Sequence, residues 1–186
     1  KLAKTNVTPK PFEVIEDWEH LYLIMEKLNG TTLNDYIFQN NPFIIGKVNR
    51  NREIEYFKKI LLLIENLLYS VKIIHDNGIC INDMSPANIL IENKEKMKVK
   101  IIDLEAAHNI NTEDKDINNL NTPGFRDFLS TKDNIKKEIR KLGLIFINCL
   151  LPINNLYELD FTKASDLIKW MNKFNYIPKA LLKTTK

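Results

Sequence analysis

Cysteine, glycine and long apolar runs are all scarce in this sequence. Its two cysteines, Cys80 and Cys149, are too few for a disulfide framework or a four-cysteine zinc site, and they fit a reducing cytosol. No apolar run comes near the roughly 18 residues of a membrane span, and no signal peptide is visible at the start. We therefore expect a cytoplasmic chain that makes no membrane contact.

An excess of charge of one sign is also missing. The formal net charge is +3, from 27 basic and 24 acidic residues. No basic patch is interleaved with aromatic residues, so we expect no binding to nucleic acid. The three histidines, His20, His75 and His108, show no metal-ligand spacing, and neither cysteine lies in a pattern typical of Cys/His catalysis.

The five glycines, at positions 30, 46, 78, 124 and 143, stand far apart. A phosphate-binding loop of the glycine-rich kind needs several glycines within a few residues, because the backbone must approach the phosphates closely. The 186 residues therefore contain no loop of this kind.

What the sequence does contain is a series of local patterns for strands and helices. Residues 12–19 and 20–28 are apolar-rich segments around a polar Asp-Trp-Glu-His turn, which predicts paired antiparallel strands. Leu33–Phe38 then predicts a short helix capped by Thr31 or Thr32.

Three further helices are predicted. The first is long and amphipathic and closes at Gly78. Its apolar stripe, which we assign to the core, consists of Ile54, Phe57, Ile60, Leu61, Ile64, Leu67, Leu68 and Val71. The second spans Glu138–Leu151 and stops at Pro152, and the third spans Ser165–Phe174. Residues 107–131 are polar and irregular.

The most informative stretch joins two carboxylates to a hairpin. Asp83 and Asn88 precede the apolar run 89–91, and a second apolar run, 99–102, ends on Asp103. This pattern predicts a hairpin with one carboxylate before its first strand and another after its second. Phosphoryl transfer needs a carboxylate that orients the attacking hydroxyl, and oxygen ligands that hold Mg²⁺. The alternative is that both aspartates are ordinary turn or cap residues.

Taken together, these patterns resemble the lower part of a protein-kinase-like fold. The resemblance covers residues 12–150 and is carried by LYLIMEKLNGTTL, by DMSPAN at Asp83, by IDLE, by TPGF and by EIRKLGLIF. Within that fold the sequence is most similar to the kinase domain of class III and IV lanthionine (lanthipeptide) synthetases. The narrower match rests on the WEH turn, on Ser85 in place of the usual lysine, and on DLEAA in place of Asp-Phe-Gly. The implied class is α+β: a mostly helical C-terminal lobe, two strands of the N-terminal lobe and a catalytic-loop hairpin.

The resemblance implies roles for the residues of the catalytic loop and metal-binding turn. Asp83 would accept or orient the proton of the substrate hydroxyl. Asn88 would bind Mg²⁺, and Asp103 would hold Mg²⁺ that bridges the phosphates of ATP. Glu105 would be either a third metal ligand or only a charge at a strand end.

The resemblance also implies a nucleotide pocket. Met25 would stand at the back of the adenine pocket. The Glu26 carbonyl and the Leu28 backbone would face the adenine edge, and Leu90 would form the floor. The TPGF segment at 122–125 would shape a platform for a peptide substrate.

Some residues depart from the kinase pattern. Ile81 and Asn82 replace the His and Arg that precede the catalytic Asp in many kinases, so we do not expect regulation by activation-loop phosphorylation. Ser85 removes a positive charge beside the transferring phosphate. Glu138 stands where kinases usually carry an Asp that braces the catalytic loop.

The expected organisation is one incomplete domain. Residues 1–28 would be the remaining N-lobe strands and the hinge, and residues 29–186 the C-terminal lobe. Only eleven residues precede Phe12, too few for a glycine-rich loop, a lysine-bearing strand and its partner helix. The chain is then either a piece of a longer kinase, which a start on Lys without Met favours, or a degenerate relative.

Three classes of function follow. The first is a Ser/Thr protein kinase-like domain of a lanthionine synthetase, which transfers the γ-phosphoryl group of ATP to hydroxyls of a peptide. This kinase-like domain would depend on the missing N-terminal lobe. The same parent chain would also carry lyase and cyclase domains. The second is a small-molecule phosphotransferase of the choline or aminoglycoside kinase type, although the His-Gly-Asp lead-in is absent. The third is a pseudokinase that serves as an interaction module.

Overall fold

The structure is a computed structural model that describes residues 1–46, 49–111 and 133–151. In these ranges the elements follow one another as β1 (Pro11–Glu16), β2 (Leu21–Met25), β3 (Thr31–Thr32), α1 (Leu33–Asn40), α2 (Arg50–Asp76), β4 (Ile79–Cys80), β5 (Ile89–Asn93), β6 (Lys98–Ile101), β7 (His108–Asn109) and α3 (Asn134–Leu150). None of the described helices is long and apolar enough to cross a membrane.

The predicted pair of N-terminal strands is confirmed. β1 and β2 are antiparallel, with Val14 opposite Leu23, and the Asp17 N–H closes the turn by donating to the His20 carbonyl at 2.9 Å. Both strands are shorter than the predicted segments. β1 ends at Glu16 and β2 ends at Met25, and residues 26–30 form the connection to β3.

The predicted hairpin after Asn88 is also confirmed. β5 and β6 are antiparallel, with Ile89 opposite Ile101, and β3 joins on the other side of β5, with Thr32 opposite Leu90. Ile89 and Ile101 are 0% and 1% exposed. The hairpin packs on α2, so its first and last residues are fixed by the core of the lobe.

Local capping explains where the helices begin. The Thr32 hydroxyl accepts from the Asp35 N–H at 3.1 Å at the start of α1, which confirms one of the two predicted caps. Asn49 caps α2 in the same way. α3 begins at Asn134, four residues before the predicted start, because the Asp133 carboxylate accepts from the Lys136 N–H at 3.1 Å.

The predicted stripe of α2 was wrong in part. Ile54, Leu61 and Leu68 are 42%, 59% and 48% exposed. The apolar residues that α2 buries are Tyr56, Ile60, Leu63, Leu67, Val71 and Ile74. Successive helical residues lie about 100° apart around the axis. Ile54, Leu61 and Leu68 therefore lie roughly a third of a turn away from the middle of the buried residues, on a side that does not face the core. The helix still closes at Gly78, which has a φ of 74°.

α3 is tied to the first two helices through one carbonyl group. The Cys149 oxygen accepts from the Tyr56 hydroxyl at 2.6 Å and from the Asn41 side-chain amide at 3.2 Å.

Residues 107–131, predicted to be irregular, begin with β7, in which His108 pairs with Cys80 of β4. The TPGF segment and the predicted helix Ser165–Phe174 lie outside the described residues.

Candidate functional site

Asp83 and Asn88 belong to one tightly folded loop. The Asn88 side-chain amide donates to the carbonyl oxygen of Asp83 at 3.0 Å and to its carboxylate at 3.4 Å. The Asn88 N–H donates to the Ser85 carbonyl at 3.0 Å, which closes the turn at Pro86. Because its amide nitrogen is engaged, Asn88 keeps Oδ1 for another partner, and no described residue donates to that oxygen.

Asp103 is joined to this loop along the backbone. The N–H of Ile102 donates to the carbonyl oxygen of Asn88 at 2.9 Å, and Asp103 is the next residue. Asp103 is exposed and has a φ of 59°, an uncommon left-handed conformation that Asp tolerates better than most residues. Carboxylate and amide oxygens are the protein ligands that Mg²⁺ takes, so the donor set of Asn88 and Asp103 fits that ion. Glu105 is exposed two residues further along.

A carboxylate from α3 braces the loop: Glu138, at the position where kinases usually carry a bracing Asp. Glu138 is 1% exposed, and its Oε1 accepts from the Asn82 N–H at 2.6 Å. Its other oxygen lies 2.6 Å from Nε2 of His75, in the last turn of α2. The residue before Asp83 is thereby tied to two helices.

His75 and Cys80, which show no metal-ligand spacing in the sequence, lie beside Glu138 in the structure. His75, Cys80 and Glu138 each place a ligand atom within 4.8 Å of the others. No local pattern indicates this grouping, because Glu138 is far from the other two residues along the chain. Burial, with a smaller contribution from Glu138, raises the pKa of Cys80 to about 12. The thiol is therefore protonated, and the His75–Glu138 hydrogen bond accounts for the other two groups.

The four residues predicted to line a nucleotide pocket occupy two adjoining segments. Met25 ends β2 and is 46% exposed, and Glu26 and Leu28 follow in the connection to β3. Leu90 lies in β5 opposite Thr32. A Cβ atom on Gly30 would lie 3.0 Å from the Leu90 side chain and 2.6 Å from the Ile91 carbonyl oxygen, so the connection lies directly against β5.

A buried lysine that the sequence analysis missed holds this connection. Lys100 is 2% exposed, and its Nζ lies 2.6 Å from the Glu26 carboxylate and 3.5 Å from that of Glu92. Two hydrogen bonds lower the pKa of Glu26. The larger effect comes from the Lys100 side chain and the smaller from the Lys10 N–H. The available signal was a lysine between the two apolar residues Val99 and Ile101 of β6.

The comparisons with known proteins identify the family of the chain. The protein kinase domain family matches residues 5–143. The chain is 25% identical over 169 residues to a probable SapB synthase of Streptomyces coelicolor, covering 90% of this chain and 17% of that protein. It is 34% identical over 106 residues to the probable serine/threonine-protein kinase HSL1 of Saccharomyces cerevisiae, covering 57% of this chain and 6% of that protein.

Two further similarities span most of the chain. Calcium-dependent protein kinase 4 of Plasmodium berghei is 27% identical over 168 residues, with 87% of this chain and 30% of that protein covered. A chain of the crystal structure of the yeast RNA Pol II CTD kinase CTDK-1 complex superposes with a TM-score of 0.56 at 20% identity, covering 78% of this chain and 45% of that one. The chain thus spans less than half of the length of each of these proteins.

Proposed function

Because the chain belongs to the protein kinase domain family, we propose that it is the C-terminal lobe of a Ser/Thr protein kinase-like enzyme that acts on a peptide. The observation that carries the proposal is the loop in which Asn88 bonds both the backbone and the carboxylate of Asp83, while Ile102 ties the Asp103 turn to Asn88. The proposal is supported by this arrangement because phosphoryl transfer requires a carboxylate that orients the substrate hydroxyl and oxygen ligands for a cation.

Each residue of the loop has a distinct part in this proposal. Asp83 orients the substrate hydroxyl and accepts its proton. Asn88, through Oδ1, and Asp103 hold Mg²⁺. When bound, Mg²⁺ and ATP supply the γ-phosphoryl group and the charge that stabilises its transfer. Glu105 is close enough in sequence to Asp103 to add a further metal ligand.

The connection between β2 and β3 supplies the adenine site in this proposal. Met25 closes the back of the pocket, the backbone of Glu26 and Leu28 faces the adenine edge, and Leu90 forms the floor. The Lys100–Glu26 ion pair supports this assignment, because it fixes the connection against β6. Residues 1–28 are then the remaining N-lobe strands and hinge, and residues 29–186 the C-terminal lobe.

The proposed parent is a lanthionine synthetase whose other parts supply the rest of the N-terminal lobe and the lyase and cyclase domains. The support is the similarity of the WEH turn, Ser85 and the DLEAA segment to that family, and the match to a protein named as a synthase besides those named as kinases. Phosphorylated Ser or Thr would be the intermediate that a lyase consumes.

The test is transfer from ATP to a Ser- or Thr-containing precursor peptide by the parent protein, followed by mass spectrometry. We expect Mg²⁺-dependent adducts of about 80 Da per phosphoryl group. Asp83→Asn should slow transfer by about 100-fold or more while nucleotide binding persists, and Asp103→Asn should abolish transfer. Asp76→Asn, which changes an exposed carboxylate of α2, serves as the control. Transfer to a small hydroxylated metabolite alone, or no transfer, would contradict the proposal.

A further inference from the structure

A strained three-residue turn stands directly before Asp83. The Asp83 N–H donates to the carbonyl oxygen of Ile81 at 2.9 Å, and Asn82 between them has a φ of 64°. The three-residue turn with positive φ is the rare and strained form, and strained backbone persists only where its surroundings hold it. Neighbouring groups must therefore hold Asn82 in place.

One face of α3 supplies those groups. Glu138 accepts from the Asn82 N–H at 2.6 Å, and Lys141 Nζ donates to the Asn82 carbonyl oxygen. The two side chains are three residues apart, which puts them on the same face of the helix. They are 1% and 3% exposed, and lysine is almost never so deeply buried unless it is paired. The bond to the loop accounts for a lysine at this depth.

The Lys141 bond acts on the peptide group that joins Asn82 to Asp83. This group is planar. Lys141 holds its oxygen, and the Ile81 carbonyl holds its N–H. Bonds at both ends of one plane fix its orientation, and with it the direction in which the Asp83 side chain leaves the backbone. Glu138 acts on the preceding peptide group, so the two side chains have separate effects.

We propose that Lys141 is a positioning residue, which directs the Asp83 carboxylate by holding the carbonyl oxygen of Asn82. Its consequence for phosphoryl transfer rests on the proposed function, whereas its consequence for the shape of the loop does not. The two consequences are therefore measured separately.

The shape of the loop is tested on the 186-residue chain by hydrogen exchange with mass spectrometry. Lys141→Met removes the donor and keeps a side chain of similar length. We expect amide exchange in residues 81–84 to rise about tenfold or more, with no change in β5 and β6. Lys136→Met, at a lysine of the same helix whose side chain is 71% exposed, should change neither. A uniform rise along the chain, or no rise, overturns the proposal.

The catalytic consequence is tested on the parent protein. Lys141→Met should lower kcat by about 10- to 100-fold, the scale of a misplaced catalytic group, with KM for ATP within about twofold of the wild type. Lys141→Arg, which keeps a donor, should restore part of kcat, and an unchanged kcat in folded Lys141→Met overturns the catalytic role. If the wild-type parent transfers no phosphate, the proposed function fails and the exchange measurement alone decides. If Lys141→Met does not fold, Lys141→Gln replaces it in both measurements.

Discussion

At the scale of single residues, backbone conformation matches residue type at the site. Asn82 and Asp103, on either side of the β5–β6 hairpin, both have positive φ values, of 64° and 59°. A Cβ makes this conformation unfavourable for most residues, and Asn and Asp are the types that tolerate it best. Asn82 precedes Asp83, and Asp103 is itself a candidate metal ligand, so the local strain at these two residues coincides with the candidate site.

Ser85 is a buried hydroxyl whose removal is informative. It is 1% exposed, and among the described residues its Oγ has no hydrogen-bond partner. Ser85→Ala should therefore leave the free energy of unfolding unchanged, or raise it by up to about 3 kcal/mol, since an unsatisfied polar group is removed. Urea denaturation measures this free energy.

The control is Tyr56→Phe, which removes a buried hydroxyl that does have a partner, the Cys149 carbonyl at 2.6 Å. It should lower the free energy of unfolding by about 1 kcal/mol. If Ser85→Ala is as destabilising as Tyr56→Phe, Ser85 makes a bond that the structure does not show.

The two thiols should be unreactive in the folded chain. Cys80 and Cys149 are both fully buried, and burial raises the pKa of Cys80 to about 12 and that of Cys149 further above its usual range. Alkylation requires an exposed thiolate, so at about pH 8 iodoacetamide should modify both only on unfolding. Mass spectrometry with and without denaturant checks this. Rapid modification of native Cys80 would show that the β4–β7 pair opens.

At the scale of elements, close backbone packing fixes the β3 connection against the hairpin. A Cβ on Gly30 would meet the Ile91 carbonyl oxygen at 2.6 Å, which is nearer than real Cβ contacts come. Because the Ile91 oxygen belongs to the backbone of β5, it cannot move aside as the end of a flexible side chain could. The position of the candidate adenine site therefore depends on a glycine that has no special backbone angle.

Gly30→Ala should lower the free energy of unfolding by about 1–3 kcal/mol, because the added methyl group forces β3 away from β5. Gly143→Ala is the matched control. Gly143 lies inside α3, and a Cβ there would meet no described atom within 4 Å. Since glycine weakens helices, this change should raise the free energy of unfolding by about 1 kcal/mol. Equal effects of the two substitutions in urea denaturation would contradict the packing at Gly30.

At the scale of the whole molecule, the β1–β2 hairpin stands apart from the core. Every residue of both strands is exposed, although the strands are rich in apolar side chains. The hairpin is held at its base by reciprocal hydrogen bonds between Lys10 and Glu26, at 2.8 and 3.1 Å. Its side chains therefore contribute little buried area to the described part of the lobe.

This difference can be measured with two pairs of facing residues. Changing Val14 and Leu23 together to Thr should alter the free energy of unfolding by less than about 0.5 kcal/mol per site, as is usual at a surface. The same change at Ile89 and Ile101 should cost several kcal/mol, about 2 or more per site, because hydroxyls are buried and apolar contacts are lost. Similar losses for the two pairs would mean that β1 and β2 are covered in solution.

The 186-residue chain on its own should bind Mg²⁺ and ATP weakly and transfer phosphate at a negligible rate. It contains no glycine-rich loop to cover the phosphates, and positioning and electrostatics supply nearly all the catalysis of this reaction. A radiolabelled transfer assay, with Asp83→Asn as the blank, checks this. Robust turnover that Asp83→Asn abolishes would show the expectation to be wrong.

Much of the fold could be predicted because its signals are local. The Thr32 cap, the turn at residues 17–20, the closing Gly78 and the β5–β6 hairpin each depend on residues a few positions apart. The hairpin pattern also located Asp83, Asn88 and Asp103, and the structure puts Asp83 in contact with Asn88. The catalytic roles of these residues remain predictions, since they concern a bound nucleotide.

The tertiary structure decided what depends on residues far apart in the chain. Asn82 and Glu138 are separated by 56 positions, and Glu26 and Lys100 by 74. The packing of β6 and α3 on α2 also decided which side of that helix is buried, where several apolar rows were available. Periodicity and capping can be read locally, but burial, ion pairs and the hydrogen bonds of a strained turn are set by the neighbours that folding brings together.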